Sequence, residues 1–161
     1  MAQRERASRI TPSVLDRLLD DFPNDAKEDP PTRFAADFER FKSAVRRDLE
    51  SLLNTRREST DSLDAFPEAK RSILTYGLPD FTMLSSQSEQ DRAGIREIVE
   101  NAITLFEPRL LNVNVTISSI AESRHNLSFR VDALLRIDPA PAPVTFDAVL
   151  QLATQQYQVK F

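Results

Sequence analysis

Residues 95–118 read IREIVENAITLFEPRLLNVNVTIS, and within them the spacing of the apolar residues changes from helical to alternating. The first part carries an apolar face at helical spacing, formed by Ile95, Ile98, Val99, Ala102 and Phe106. The second part alternates as a half-buried strand does, at Leu111, Val113, Val115 and Ile117. Pro108 separates the two, because a proline disfavours helical geometry at the residue before it. The stretch therefore predicts a helix followed directly by a strand.

The alternation continues to the C-terminus in three further series. One runs over residues 127–137, one over 144–152, and the last contains Tyr157, Val159 and Phe161. The connections are short, since residues 122–126 are a polar turn and residues 138–143 are rich in proline. Half-apolar strands with short connections predict an antiparallel sheet that buries one face.

Helical patterns precede these strands. Thr11-Pro12 predicts the start of a short helix, and its apolar stripe consists of Leu15, Leu18, Leu19 and Phe22. The proline-rich residues 23–32 read as a linker. A longer helix follows, with a face formed by Phe34, Phe38, Phe41, Val45, Leu49 and Leu52.

Two further helix signals stand before residue 95. Pro67 predicts the start of a short helix that ends near Tyr76, where Gly77 has the place of a C-terminal cap. Either Ser86 with Glu89 or Ser88 with Asp91 then caps the next helix.

These patterns predict the α+β class, with N-terminal amphipathic helices and a central helix packed on one face of a C-terminal antiparallel sheet. We expect residues 1–32 to form a docking helix with its Pro-rich linker, and residues 33–161 to form a single domain. The short first helix would be marginal alone, so its stripe needs a partner surface in this chain or in another.

The composition excludes several classes of protein. The chain has 161 residues, no Cys, one His and 2 Gly, which argues against disulfides, thiolate chemistry and a glycine-rich phosphate loop. A net charge of −4 makes nonspecific nucleic-acid binding a poor fit. No run approaches the roughly 20 apolar residues of a spanning helix, and the polar residues 1–10 do not read as a secretory signal. We therefore expect a cytoplasmic protein.

No pattern predicts a catalytic, cofactor-binding or metal-ligating residue. His125 lies in a polar turn without a nucleophile motif, and we interpret it as a solvated turn residue. A glycosidase needs two carboxyl groups flanking one bond, and nothing singles out such a pair among 25 acidic residues. With one His and no Cys only an all-oxygen metal site remains, and no EF-hand spacing occurs. We expect neither enzymatic activity nor a cofactor.

Glu107, Pro108 and Arg109 stand at the predicted junction of helix and strand. Glu107 falls at a helix C-terminus, where the dipole disfavours an anion, and Pro108 fixes the direction of the chain. The residues alone leave two interpretations open. The corner either presents both charges to a partner protein, or it holds a local ion pair of little energetic value.

Five segments together resemble the TssE family of type VI secretion system baseplate subunits, the phage baseplate wedge group that is sometimes labelled lysozyme-like. They are VLDRLLDD at 14–21, RRDLESLLNTRR at 46–57, SILTYGLPDFT at 72–82, AITLFEPRL at 102–110 and FRVDALL at 129–135. The resemblance runs from about residue 13 to the C-terminus, and the motifs stand in the family's order.

The resemblance implies assembly rather than catalysis. Such subunits join the baseplate wedge beside TssF and TssG, at the inner face of the cytoplasmic membrane, and start polymerisation of the TssB–TssC sheath. Their fold is similar to the strand-exchanging domain of the sheath itself. The resemblance also marks residues 107–109 as the wedge contact, so we expect Glu107→Ala or Arg109→Ala to abolish assembly while barely changing thermal stability.

Two other surfaces complete the predicted partner-binding residues. The first helix offers Leu15, Leu18, Leu19 and Phe22, and the last strand offers Tyr157, Val159 and Phe161 as an edge for sheath chains. Two alternative functions remain. One is a peptidoglycan-cleaving, lysozyme-like glycosidase, and the other is a nucleic-acid-binding module that uses Arg46-Arg47 and Arg56-Arg57, which the acidic net charge disfavours.

Overall fold

A computed structural model describes residues 14–18, 34–58, 63, 65–81, 88–118, 126–151 and 156–160. Within these residues the chain forms three α-helices: α1 (Val14–Leu18), α2 (Phe34–Asn54) and α3 (Glu89–Phe106). Two short 3-10 turns stand between α2 and α3, at Ala69–Arg71 and Ile73–Thr75. Four strands follow: β1 (Leu110–Ser118), β2 (Asn126–Leu135), β3 (Ala142–Gln151) and β4 (Gln156–Lys160).

The strands form one antiparallel sheet in the order β1-β2-β3-β4. The register places Val131 of β2 between Val115 of β1 and Phe146 of β3, and all three are buried. The opposite face is polar, since Arg130 pairs with Asp147 and Thr145 donates to Asp132. The predicted antiparallel sheet with one buried face is confirmed.

Both long helices cover the buried face of the sheet. α2 packs against β4, α3 packs against β1, and the two helices contact each other. Val45 of α2 and Ile103 of α3 are completely buried in the single core between helices and sheet. This arrangement confirms the α+β class. No helix in the described part of the chain has the length and apolar character needed to cross a membrane.

A bulge in β1 changes which residues face the core. The register pairs Leu110 with Leu135 and Leu111 with Leu134, and it then shifts before Asn114 pairs with Asp132. Asn112, whose φ is 51°, lies inside this shift. Because one extra residue reverses the alternation, Leu110 is buried, whereas the strictly alternating series had placed Leu111 on that side. The prediction for Leu111 was therefore wrong.

The start and the end of α3 follow local signals. The hydroxyl of Ser88 accepts a hydrogen bond from the backbone N–H of Asp91 at 3.2 Å, so Ser88 is the cap. Ser86 lies outside the described residues. The helix ends at Phe106, two residues before Pro108, as the proline predicts.

The segment between α2 and α3 differs from the predicted short helix. Instead of one helix from Pro67 to Tyr76 it contains the two 3-10 turns, and Gly77 follows with a φ of 103°. A parallel bridge then fastens the chain to the end of α2, because Leu78 N–H donates to the Thr55 carbonyl at 2.8 Å. A Cβ at Gly77 would lie 2.4 Å from that carbonyl oxygen. Gly77 is therefore needed for close approach as well as for its positive φ.

Candidate partner-binding site

The corner after α3 is closed by contacts between Glu107 and Arg109. The Glu107 carboxylate accepts from the Arg109 backbone N–H at 3.2 Å and from its Nε at 2.6 Å, both on Oε1. Arg109 Nη2 donates to Oε2 of the same carboxylate. Two parallel hydrogen bonds between a guanidinium and a carboxylate fix the relative orientation of the two groups as well as pairing their charges. The local ion pair that the sequence left open is therefore present, and it spans Pro108.

Arg109 also reaches two other elements of the fold. Its Nη2 donates to Oδ2 of Asp48 in α2 at 2.6 Å, and its Nη1 lies 3.7 Å from Oδ2 of Asp16 in α1. Arg47 completes the arrangement by donating from Nη2 to Asp16 Oδ1 at 2.7 Å and from Nε to Asp48 Oδ1 at 3.0 Å. We call these five residues the ionic cluster.

Within the ionic cluster, Glu107 and Arg109 are largely withdrawn from solvent, whereas the Arg47 side chain is 40% exposed. Glu107 is 4% exposed, and the Arg109 side chain is 18% exposed. The guanidinium also lies over the ring of Phe41, 5.8 Å from its centre, within the range of cation–π attraction. Burial alone lowers the pKa of Arg109, but the hydrogen bonds and charges of Glu107 and Asp48 outweigh it and raise the pKa above its usual value.

From this geometry we expect alanine at Glu107 or Arg109 to lower stability, whereas the sequence alone led us to expect that stability would barely change. Removing Glu107 leaves the Arg109 guanidinium half-enclosed without its principal acceptor. Removing one partner of a buried pair is strongly destabilising, because the remaining charge stays away from water. The corner therefore has a structural role within the chain, and its contact with a partner stays a prediction.

An open groove of about 500 Å³ lies beside the ionic cluster. Its apolar lining comes from the three helices and from the segments that follow α2 and α3. The lining residues are Leu15, Leu52, Tyr76, Phe106 and Pro108. The Tyr76 and Phe106 rings meet edge to face, with centres 5.2 Å apart. Asp48, Glu107 and Arg109 add polar lining. An apolar groove beside buried charges is suited to binding a protein segment.

Only part of the predicted first-helix surface falls on described residues. Leu15 is half-exposed and lines the groove, and Leu18 is 76% exposed. Leu19, Phe22 and the linker at 23–32 lie outside the described residues. The helix and the 107–109 corner, which the sequence treated as separate surfaces, meet through Asp16.

The predicted strand edge lies elsewhere in the molecule. β4 is the last strand of the sheet order and pairs with β3, with Tyr157 opposite Leu150 and Val159 opposite Ala148. Val159 is buried, so its side chain belongs to the core. Phe161 and His125 lie outside the described residues.

Sequence reasoning missed three members of the ionic cluster: Asp16, Arg47 as an ion-pair partner, and Asp48. The resemblance contained a usable signal, because each residue stands in one of the quoted motifs. Asp16 belongs to VLDRLLDD, Arg47 and Asp48 to RRDLESLLNTRR, and Glu107 and Arg109 to AITLFEPRL. The structure brings these three motifs together at one place.

Among the described residues, no group of three or more His, Cys, Asp and Glu side chains is arranged to hold a metal ion.

A comparison with curated proteins finds no match. A comparison with protein families finds one described as baseplate wedge protein gp25, which matches residues 39–140. The match covers the second to fifth quoted motifs, α3, β1 and β2. The chain belongs to the baseplate wedge protein gp25 family.

Proposed function

We propose that this protein is a non-enzymatic structural subunit of a type VI secretion baseplate, which joins the wedge through TssF and TssG and starts assembly of the TssB–TssC sheath. Membership of the wedge family supports a role in a baseplate. The five motifs that resemble TssE carry the finer assignment to this secretion system. It would act in the cytoplasm, at the inner face of the cytoplasmic membrane.

The main observation behind wedge binding is the meeting of α1, α2 and the 107–109 corner around one groove. Pro108 is exposed on the rim, and Leu15 and Phe106 offer partly exposed apolar surface beside it. The ionic cluster holds these elements in a fixed relative position. We infer that a segment of TssF or TssG binds in this groove, recognised by its apolar side chains.

The edge of β4 supports the proposed role in sheath assembly. A strand at the end of a sheet carries N–H and C=O groups that can pair with a strand from another chain. The side chain of Val159 faces the core and holds β4 in register with β3. The other edge of β4 faces away from β3. We infer that a sheath strand pairs with this edge.

The charges at the corner give little support to the glycosidase alternative. Such an enzyme needs one carboxylic acid able to donate a proton to the leaving oxygen. Asp16, Asp48 and Glu107 instead accept hydrogen bonds from two arginines.

Reconstitution tests the proposal. The protein is co-expressed with TssF and TssG, the complex is purified, and TssB with TssC is then added and followed by electron microscopy. We expect a stable complex and sheaths that start from it. Two results together would favour the glycosidase instead. The complex with TssF and TssG would be absent, and the protein would clear purified cell walls, with substitution of a single carboxylate abolishing the clearing.

A further inference from the structure

The sheet has two edges, and they differ in what lies against them. β1 forms one edge and β4 the other. Both strands would attract a strand from another chain if their outer backbone groups were accessible. The proposed sheath-initiating role requires strand pairing at a defined edge, so the state of the β1 edge matters for that role.

A carboxylate from α3 occupies part of the β1 edge. The backbone N–H of Val115 donates to Oε2 of Glu100 at 3.4 Å, a long hydrogen bond. In an antiparallel strand, the N–H groups of successive residues point alternately towards and away from the partner strand. Because the N–H of Val115 donates to a side chain of α3, it is one of those that point away from β2. An incoming strand would have to place a carbonyl oxygen at the same N–H. The Glu100 carboxylate already fills that position and would repel the carbonyl oxygen.

The remainder of the β1 edge is irregular. The register shift between Leu111 and Asn114 and the positive φ of Asn112 interrupt the strand near its start. Bulges bend and twist a strand locally, which makes a straight added strand fit poorly. The regular part of β1 is thereby confined to Asn114–Ser118, and Val115 is its second residue.

The β4 edge has a different character. Its pairing with β3 is continuous from Gln156 to Lys160, without a register shift. The side chains of Gln158 and Lys160 are exposed. A regular strand of this kind presents evenly alternating backbone groups to an added strand.

We propose that Glu100 closes the β1 edge of the sheet to strand addition, so that a strand from another chain can join only at β4. The inference deepens the proposed sheath-initiating role by naming the edge that must stay closed. Glu100 acts through the backbone of β1 and is required neither for the core nor for the ionic cluster.

The test compares Glu100→Ala with Glu97→Ala. Both substitutions remove one carboxylate from α3 and introduce a good helix former, but Glu97 is exposed on the helix surface. Self-association is measured by analytical ultracentrifugation over a wide range of protein concentration. Amide hydrogen exchange of residues 110–118 and 156–160 identifies the edge that pairs.

We expect Glu100→Ala to self-associate at least about ten-fold more tightly than the wild type, with new amide protection that includes β1. Glu97→Ala should sediment as the wild type does. Unchanged self-association of Glu100→Ala, or association that protects β4 instead, would overturn the inference. No sheath or wedge protein enters this test, so its failure is distinguishable from failure of the proposed function.

Discussion

Arg109 Nη2 lies 2.6 Å from Oδ2 of Asp48, a residue 61 positions earlier in the chain. This contact joins the corner between α3 and β1 to the middle of α2. The same guanidinium holds Glu107 on the other side. The corner is therefore a junction of three elements, and its shape depends on ion pairs formed within the chain. Arg109 Nη1 is buried there without a hydrogen-bond partner among the described residues.

The buried position of Glu107 predicts a loss of stability on substitution. Glu107→Ala should lower the free energy of unfolding by about 2 kcal/mol, because hydrogen bonds to charged groups contribute roughly 1.5–3 kcal/mol. Glu107→Gln, which keeps one oxygen acceptor, should lose less. Urea unfolding followed by circular dichroism measures both. Equal stability of Glu107→Ala and the wild type would mean that the pair contributes nothing to the fold.

We expect alanine substitutions at the two glycines to change the stability of the protein in opposite directions. Gly77→Ala should destabilise the protein by more than about 1 kcal/mol, because the added Cβ meets the Thr55 carbonyl and the positive φ disfavours alanine. Gly94→Ala should stabilise it by about 0.5–1 kcal/mol, because Gly94 lies inside α3 with open space around it. Thermal unfolding of both variants checks the pair. Destabilisation by both would contradict the assigned backbone roles.

Substitution of Leu15 in α1 should weaken binding to TssF and TssG more than it lowers stability. Leu15→Asp places a charge in the groove and should reduce co-purification with TssF and TssG, while the half-exposed position keeps the loss of stability small. Val14→Asp is the matched control, because Val14 is 75% exposed and does not line the groove. Equal binding by the two variants would remove α1 from the proposed interface.

Deleting residues 156–161 should stop the protein from starting sheath assembly. Because Val159 is buried, the deletion should also lower stability, contrary to what its terminal position in the sequence indicates. Val159→Ala is the control, since it removes buried methyl groups but keeps the backbone edge. Sheath assembly is counted by electron microscopy at a temperature where both variants are folded. Normal assembly by the deletion variant would exclude the edge, and loss of assembly in Val159→Ala would point to stability instead.

Periodicity in the sequence was sufficient for the class of fold. Helical spacing in residues 34–52 and 95–106 and alternation after residue 110 identified both long helices and the sheet, because one-sided burial imposes these periods. Local signals were equally informative at Ser88 and Pro108, where a hydroxyl cap and a proline act on adjacent backbone groups.

What could not be predicted depends on contacts between distant residues. The bulge at Asn112 shifts Leu110 into the core, and strict alternation contains no sign of it. Asp48 was not identified from the sequence, because its contact with Arg109 exists only after α2 packs against the corner that follows α3. Glu107 and Arg109 were identified from their types and their position beside Pro108, but their burial depended on that packing.

Co-purification of corner variants tests whether the 107–109 corner binds the wedge proteins TssF and TssG. Glu107→Ala and Arg109→Ala are compared with Val131→Ala, which weakens the core at a buried residue of β2 and should leave the corner intact. All three are co-expressed with TssF and TssG and purified at a temperature where circular dichroism shows them folded. We expect both corner variants to lose TssF and TssG and Val131→Ala to retain them. Retention at wild-type levels by both corner variants would contradict this expectation.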